Sequence, residues 1–138
     1  MTKRQWGEKP YHSLDYEMKQ RFGEKVYKIS LESGLSCPNR DGTIGYGGCI
    51  FCSGSGSGDF ASPLCSSVTE QIDRGIRGLS SRKHVGHKFI AYFQSFTNTY
   101  APVDVLEPMY MEALRHPDVV MLSNATRPDC LPADVLKI

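Results

Sequence analysis

The sequence predicts an α/β fold in which about three parallel strands alternate with helices. Three apolar segments of strand length, at residues 26–31, 89–93 and 119–122, are separated by segments with helical periodicity. A polar loop follows each of the three segments. Alternation of this kind is typical of a parallel sheet with right-handed crossovers, whose reactive groups lie on the loops at the carboxyl ends of the strands.

The first predicted elements are a short helix and a strand. Apolar residues recur at a four-residue spacing between Ser13 and Phe22, and Ser13 is a good N-cap. Gly23 is expected to end this helix, because glycine readily adopts the left-handed conformation of a C-terminal cap. The sequence VYKISL at residues 26–31 alternates apolar and polar side chains and predicts the first strand.

A loop and a second helix follow the first strand. The composition of SGSGSGD at residues 53–59 predicts a flexible stretch, with an ordered glycine-rich loop as the alternative. Phosphate binding is not expected, because the stretch matches neither a P-loop nor a GxGxxG motif. Ser67 and Glu70 have the spacing of a capping box, and apolar residues follow at helical spacing. Gly75 and Gly78 weaken this predicted helix without excluding it.

The remaining elements complete the alternation. The sequence FIAYF at residues 89–93 has the continuous apolar character of a buried parallel strand. A helix is expected to begin at Pro102 and to reach Arg115, with a kink or a restart at Pro108. Residues 119–122 predict the third strand, and Pro132 is expected to open one more helix.

Length and composition limit the architecture. The chain has 138 residues, 40% of them hydrophobic, which suits one globular domain. Three parallel strands cannot close a barrel, so we expect either the N-terminal part of a larger protein or an open sheet completed by partners. The net charge of +1 provides no electrostatic argument for a nucleic acid or an anionic membrane. With no apolar run of transmembrane length and no signal peptide, we expect a cytoplasmic protein.

The cysteines carry most of the functional information. Three of the five lie in CPNRDGTIGYGGCIFC at residues 37–52, a sulfur-rich pattern that selects zinc, copper(I) or an iron–sulfur cluster. A structural zinc site needs a fourth ligand, for which Cys65, Cys130 and His12 are candidates. Three thiolates on a [4Fe–4S] cluster instead leave one iron open for a substrate or cofactor. The residues alone therefore leave two classes open, an iron–sulfur protein and a zinc-stabilised binding module without catalysis.

Several other residues have both a structural and a functional interpretation. Phe51 lies between two cysteines, where it could shield a bound cluster or flank an adenine. Cys65 and Cys130 are expected to be small buried side chains rather than ligands. Asn39, Arg40 and Asp41 are expected to order the cysteine loop. The histidines are expected to be solvated on surface segments, namely His84, His87 and His116.

Two long stretches of the chain resemble a family of radical S-adenosylmethionine (SAM) proteins. The first is YHSLDYEMKQRFGEKVYKISLESGLSCPNRDGTIGYGGCIFCS, and the second is KFIAYFQSFTNTYAPVDVL together with the TRPDC that follows the third strand. The family comprises bacterial proteins labelled as predicted Fe–S oxidoreductases (YhcC/YtqA-like), and it is related to the catalytic subunit of Elongator. The resemblance runs in order from about Tyr11 to the last residue.

The resemblance implies a fold, a cluster and a reaction. Residues 1–138 would be the N-terminal portion of a radical SAM core domain, a partial (β/α) barrel with a cluster loop at about residues 32–60. A [4Fe–4S] cluster would be bound by Cys37, Cys49 and Cys52, and its open iron would bind the amino and carboxylate groups of SAM. One-electron reduction would then cleave SAM to methionine and a 5′-deoxyadenosyl radical, so that the cofactor carries the demanding chemistry.

The sequence departs from common radical SAM patterns in three places. The spacing is Cx11CxxC rather than CxxxCxxC, and the long first gap is the variant of this family. Where many of these enzymes carry a GGE-like segment for the SAM amino group, Gln94 and Ser95 stand here as candidate SAM contacts. Ala125 replaces a usual glycine before TRPD.

Arg127 is a candidate contact to SAM or substrate, and a loop-ordering pair with Asp129 is equally open.

The resemblance also implies partners. Reduction of the cluster calls for an electron donor such as flavodoxin or ferredoxin, and the kinship to Elongator makes RNA, such as a tRNA, a candidate substrate. The basic segment at residues 81–88 could contact RNA, although a run of charge is more often a solvated face. We expect no membrane partner.

Overall fold

The protein is an α/β structure with one parallel sheet. The computed structural model describes residues 5–59, 61 and 67–138. The three strands lie in the order β1-β2-β3 and are β1 Tyr27–Leu31, β2 Phe89–Phe93 and β3 Val119–Asn124. The helices that alternate with them are α1 Leu14–Phe22, α2 Val68–Ser80 and α3 Val103–Arg115. The predicted fold class, three parallel strands alternating with helices, is confirmed.

Helices α2 and α3 cover one face of the sheet. Ile29 of β1 is the register partner of Ala91 in β2, which in turn pairs with Leu122 in β3. Alternate residues of β1 and β2 enter a single apolar core together with buried residues of α2 and α3, such as Ile72 and Leu106. Sequential strand order with crossover helices on one face is the arrangement of a partial β/α fold, rather than of a doubly wound sheet with reversed strand order.

The predicted caps of the first two helices are confirmed. The Ser13 hydroxyl accepts a hydrogen bond from the Tyr16 N–H at 3.2 Å, and Gly23 ends α1 with a φ of 76°. The Ser67 hydroxyl accepts from the Glu70 N–H at 3.1 Å and begins α2. These bonds satisfy N–H groups in the first turn, which have no partner within the helix.

Three predicted boundaries differ from the structure. Helix α3 continues through Pro108 without restarting, because this proline lies on the exposed side of the helix, where water can reach the carbonyl that loses its partner. Strand β3 extends two residues beyond the predicted end at Leu122. The helix predicted from Pro132 is wrong, since the chain there forms only short 3₁₀ turns, Pro128–Cys130 and Val135–Lys137.

His116 is buried, contrary to the surface position that the sequence predicts. Its Nε2 lies 3.2 Å from an Asp73 carboxylate oxygen, and its Nδ1 accepts from the Asp118 N–H at 3.2 Å. The imidazole therefore joins α2 to the turn between α3 and β3. None of the helices in the described ranges is long and apolar enough to cross a membrane.

Candidate functional site

The loops that follow the three strands meet at a cavity of about 310 Å³. The loop after β1 contributes its three clustered cysteines, the loop after β2 contributes Phe96 and Thr97, and the loop after β3 contributes Thr126. Tyr92, near the end of β2, lines the same cavity. The expectation that polar loops converge at the carboxyl edge of the sheet is confirmed by this geometry.

Six of the seven residues predicted for the site lie on this cavity. They are Cys37, Cys49, Phe51, Cys52, Gln94 and Arg127. Phe51 stands at the rim, 82% exposed. Ser95 is not part of the lining, since it is fully buried and the Cβ of an alanine at Gly58 would lie 2.1 Å from its hydroxyl oxygen. Within the described residues this hydroxyl has no hydrogen-bond partner.

Backbone hydrogen bonds fold the cysteine loop into consecutive turns. The Cys37 carbonyl accepts from the N–H groups of Arg40 at 2.8 Å and Asp41 at 3.1 Å. The Cys49 carbonyl accepts from the Cys52 N–H at 2.9 Å, which closes a turn around the CxxC pair. The local sequence favours these turns because its asparagine, aspartate and glycines tolerate turn conformations.

Arg40 ties this loop to its neighbours. Its Nη2 donates to the Ser53 carbonyl at 2.5 Å, and its guanidinium carbon lies 5.4 Å from the centre of the Phe96 ring. Gly48 passes this guanidinium with a φ of 72°, and a Cβ there would lie 2.9 Å from Arg40 Nε. The prediction that Arg40 orders the loop is confirmed, although it acts on carbonyls and an aromatic ring rather than through a local turn.

The glycine-rich stretch after Cys52 packs against the loop that follows β2, which matches the ordered glycine-rich loop that the sequence leaves open. The Phe96 N–H donates to the Gly56 carbonyl at 3.0 Å. A Cβ at Gly56, which has a φ of 64°, would lie 2.5 Å from the Phe96 ring. The glycines there serve close packing between two loops, which a scan for phosphate-binding motifs does not detect.

Side-chain donors surround the three thiols. Asn39 Nδ2 lies 3.2 Å from Cys49 Sγ, and Ser57 Oγ lies 3.9 Å from Cys52 Sγ. Burial raises the pKa of the Cys37 thiol. Hydrogen bonds from the Thr97 side chain and the Asn39 N–H, together with the positive charge of Arg127, outweigh this effect and leave the pKa below its ordinary value. The cavity therefore stabilises a thiolate at this position.

Arg127 forms a bidentate pair with Asp129 across the loop after β3. Its Nε donates to one carboxylate oxygen at 2.9 Å and its Nη2 to the other at 2.7 Å. This hydrogen bond lowers the pKa of the Asp129 carboxyl and raises that of Arg127 further above its already high value. The loop-ordering interpretation of Arg127 is thus seen directly, and the guanidinium still faces the cavity with further N–H groups.

The candidate fourth zinc ligands lie elsewhere or outside the described residues. Cys130 lines a neighbouring cavity, and burial followed by the charge of Asp129 raises the pKa of its thiol. His12 Nε2 lies 2.9 Å from a Glu17 carboxylate oxygen in an exposed pair. Cys65 lies outside the residues that the structure describes. Neither of the two described candidates therefore completes a four-ligand site on the cysteine loop.

The cavity offers three thiols as a donor set. In the part of the chain that the structure describes, no three His, Cys, Asp or Glu side chains form a group that could hold one metal ion. A lone zinc draws its sulfur ligands to about 2.3 Å from one centre, whereas a [4Fe–4S] cluster binds each thiolate at a different iron and so holds them farther apart. Three thiols on one cavity are a donor set that can serve a cluster.

Sequence reasoning missed Asn98, which holds the carboxyl edge together. This fully buried side chain donates from Nδ2 to the carbonyls of Phe93 at 3.0 Å and Ala125 at 2.9 Å. Its Oδ1 accepts from the Ser33 hydroxyl at 2.6 Å. One amide thereby joins the ends of all three strands. A polar residue in a predicted polar loop carries no sequence signal of such burial.

Comparison with known proteins identifies relatives in bacteria and archaea. The chain is 50% identical over 129 residues to the uncharacterized protein YtqA of Bacillus subtilis, an alignment that covers 94% of this chain and 40% of that protein. It is 42% identical over 122 residues to the protein YhcC of Escherichia coli, covering 88% of this chain and 38% of YhcC. It is 36% identical over 124 residues to the uncharacterized protein MJ0486 of Methanocaldococcus jannaschii, covering 88% and 36% respectively.

No protein-family model matches the chain, and no solved structure matches it significantly. The chain spans 36–40% of the length of these three curated relatives. The alignments cover 88–94% of this chain. The chain is therefore a homologue of the YtqA and YhcC proteins.

Proposed function

We propose that this chain forms the cluster-binding and SAM-binding part of a radical SAM enzyme. The observation that carries the proposal is that Cys37, Cys49 and Cys52 share one cavity with the loops after β2 and β3, at the carboxyl edge of a parallel sheet. Active sites of α/β sheets and barrels lie at this edge. Two further features support the same function, namely the sulfur-only set of ligands and the resemblance of the Cx11CxxC loop to that of the radical SAM family described above.

The chain's own residues have distinct roles in this proposal. The three cysteines hold a [4Fe–4S] cluster, which when bound supplies the electron that cleaves the C5′–S bond of SAM. Gln94 presents its amide carbonyl to the SAM amino group. Arg127 has N–H groups beyond the two bonded to Asp129, and these would bind the SAM carboxylate. Phe51 at the rim flanks the adenine and limits the access of water.

The partners follow from the chemistry. An electron donor of low potential, such as flavodoxin or ferredoxin, must deliver the single electron. The thiols must stay reduced to bind iron, which favours the cytoplasm as the compartment. RNA is the first substrate class to examine, and it rests on the resemblance to the catalytic subunit of Elongator alone.

Metal analysis tests this function. The chain is purified without oxygen, reconstituted with iron and sulfide, and its iron, sulfide and zinc are counted. We expect about four irons per chain in the unaltered protein, and loss of iron in Cys37→Ala, Cys49→Ala and Cys52→Ala. Cys130→Ala is the matched control, because this cysteine lines the neighbouring cavity, and it should retain its iron.

A spectroscopic measurement tests the open iron. SAM added to the reduced protein should change its EPR spectrum, and the change should weaken in Arg127→Ala because that variant loses its carboxylate contact. One zinc per chain, without iron and without a response to SAM, would refute the enzyme and leave the zinc-stabilised binding module in its place.

A further inference from the structure

Asn39 contacts the thiol of Cys49. Its side-chain Nδ2 lies 3.2 Å from Cys49 Sγ. A thiolate can only accept hydrogen bonds, so the amide nitrogen rather than the amide oxygen faces the sulfur. A residue near the start of the long Cx11C gap therefore supplies a donor to the cysteine at its end.

The loop fixes Asn39 in this position. The backbone carbonyl of Asn39 accepts a hydrogen bond from the Gly48 N–H at 2.9 Å, which brings the residue beside the CxxC pair. Pro38 before it is buried, and Asn39 itself is half-buried. A hydrogen bond in such a partly desolvated place is stronger than one in open water. The backbone of Asn39 is thereby fixed within reach of Cys49, and the side-chain amide lies against its sulfur.

We propose that Asn39 is a positioning residue that raises the reduction potential of the iron–sulfur cluster. The inference rests on the proposed function, because it concerns the cluster held by Cys37, Cys49 and Cys52. A reduced cluster carries one more negative charge than an oxidised one, and part of that charge lies on the thiolate sulfurs. A donor aimed at sulfur therefore stabilises the reduced state and makes the cluster easier to reduce.

Ser57 provides an internal comparison. Its hydroxyl lies 3.9 Å from Cys52 Sγ, which is much longer than the 3.2 Å of the Asn39 contact. Hydrogen bonds weaken with distance, so Ser57 has a smaller effect on the potential. From these distances we expect Asn39 to affect the reduction potential more than Ser57 does.

Three variants test the role of Asn39. Asn39→Leu removes the donor without adding charge, and Asn39→Asp keeps the shape while placing a carboxylate at the sulfur. Asp41→Asn makes the reverse exchange two residues away, where the carboxylate accepts from the Thr43 N–H at 3.0 Å. Ser57→Ala removes the longer donor, and Ser55→Ala is its control.

The readout is the midpoint potential of the reconstituted chain, measured by EPR during titration with dithionite and mediators. We expect Asn39→Leu to lower the reduced-to-oxidised ratio roughly tenfold at a fixed potential, which is about 59 mV for one electron. Asn39→Asp should lower it further, Ser57→Ala should lower it less, and Asp41→Asn and Ser55→Ala should stay close to the unaltered protein. A merely structural role would reduce the amount of cluster without this graded order.

The outcomes separate this inference from the proposed function. A cluster that forms in Asn39→Leu with an unchanged potential overturns the role of Asn39 and leaves the function intact. Opposite shifts of equal size in Asn39→Asp and Asp41→Asn also overturn it, because they would mean that charge alone acts. A chain that takes up no iron overturns both. If Asn39→Asp fails to retain iron, the midpoint potential of Asn39→Leu alone tests the role of Asn39.

Discussion

Single buried polar groups decide the stability of the carboxyl edge. Tyr110 of α3 is 4% exposed, stacks obliquely on Phe93 with ring centres 5.7 Å apart, and donates its hydroxyl to the Asn98 carbonyl. Burial raises the pKa of this hydroxyl to about 12. The neutral phenol is therefore the form that the folded protein holds.

Tyr110→Phe should lower the free energy of unfolding by about 1 to 2 kcal/mol at neutral pH, because the Asn98 carbonyl loses its donor while the aromatic packing remains. Since the pKa of Tyr110 is raised in the folded state, its contribution is complete below the unfolded value of about 10 and is lost as the pH rises towards 12. Urea unfolding of both proteins from pH 8 to pH 11 measures this effect. We expect the gap in stability to shrink above pH 10, and a constant gap would contradict the burial of a neutral phenol.

Some single residues also have positions that the local sequence does not predict. His116 and Ser95 lie in polar surroundings in the sequence, yet both are buried. The position of His116 depends on Asp73, 43 residues away along the chain. No local pattern contains such a partner.

At the scale of elements, the packing of α2 on β1 depends on one glycine. A Cβ at Gly75 would lie 2.4 Å from the Ile29 Cγ2 atom, whereas a Cβ at Gly78 meets nothing closer than Arg82 Nη2 at 3.9 Å. From the sequence both glycines only weaken the helix. The structure separates them, because Gly75 allows the helix to approach the strand and Gly78 does not serve that contact.

Alanine at the two positions should therefore have opposite effects. Gly75→Ala is expected to lower the free energy of unfolding by about 1 to 3 kcal/mol, because overpacking exceeds the gain in helix propensity. Gly78→Ala should raise it by about 0.5 to 1 kcal/mol. Chemical denaturation of the two variants side by side provides the measurement. Stabilisation by both substitutions would show that β1 can move away from the helix at little cost.

The sequence predicts the boundary of an element correctly where neighbouring residues alone determine it. The caps at Ser13, Gly23 and Ser67 are local hydrogen bonds, and their positions are predicted correctly. Strand β3 continues to Asn124 because β2 offers a partner there, with Phe93 in register. A strand's length is thus set in part by its neighbour, which the strand's own residues do not encode.

At the scale of the whole molecule, Asn98 joins the strand ends that form the candidate site. Asn98→Ala should lower the free energy of unfolding by about 2 to 3 kcal/mol, because three side-chain hydrogen bonds are lost at about 1 kcal/mol each. Asn124→Ala is the control, since the Oδ1 of that amide has no hydrogen-bond partner within the described part of the chain, and it should cost less. Thermal and urea unfolding of both variants test this order, and equal losses would contradict the central role of Asn98.

The sequence by itself determined the α/β class, the positions of the strands, the helix caps and the grouping of three cysteines in one loop. The strands and caps depend on neighbouring residues, where periodicity and capping chemistry are visible, and the cysteines and the alternation of elements can be read along the chain. Only the tertiary structure decided that Asn39 contacts the Cys49 thiol, that the glycine-rich stretch packs on Phe96, and that Asn98 joins three strands. Those contacts connect separate loops, such as the Ser33–Asn98 hydrogen bond across 65 residues, and arise only when the parallel strands bring their ends together.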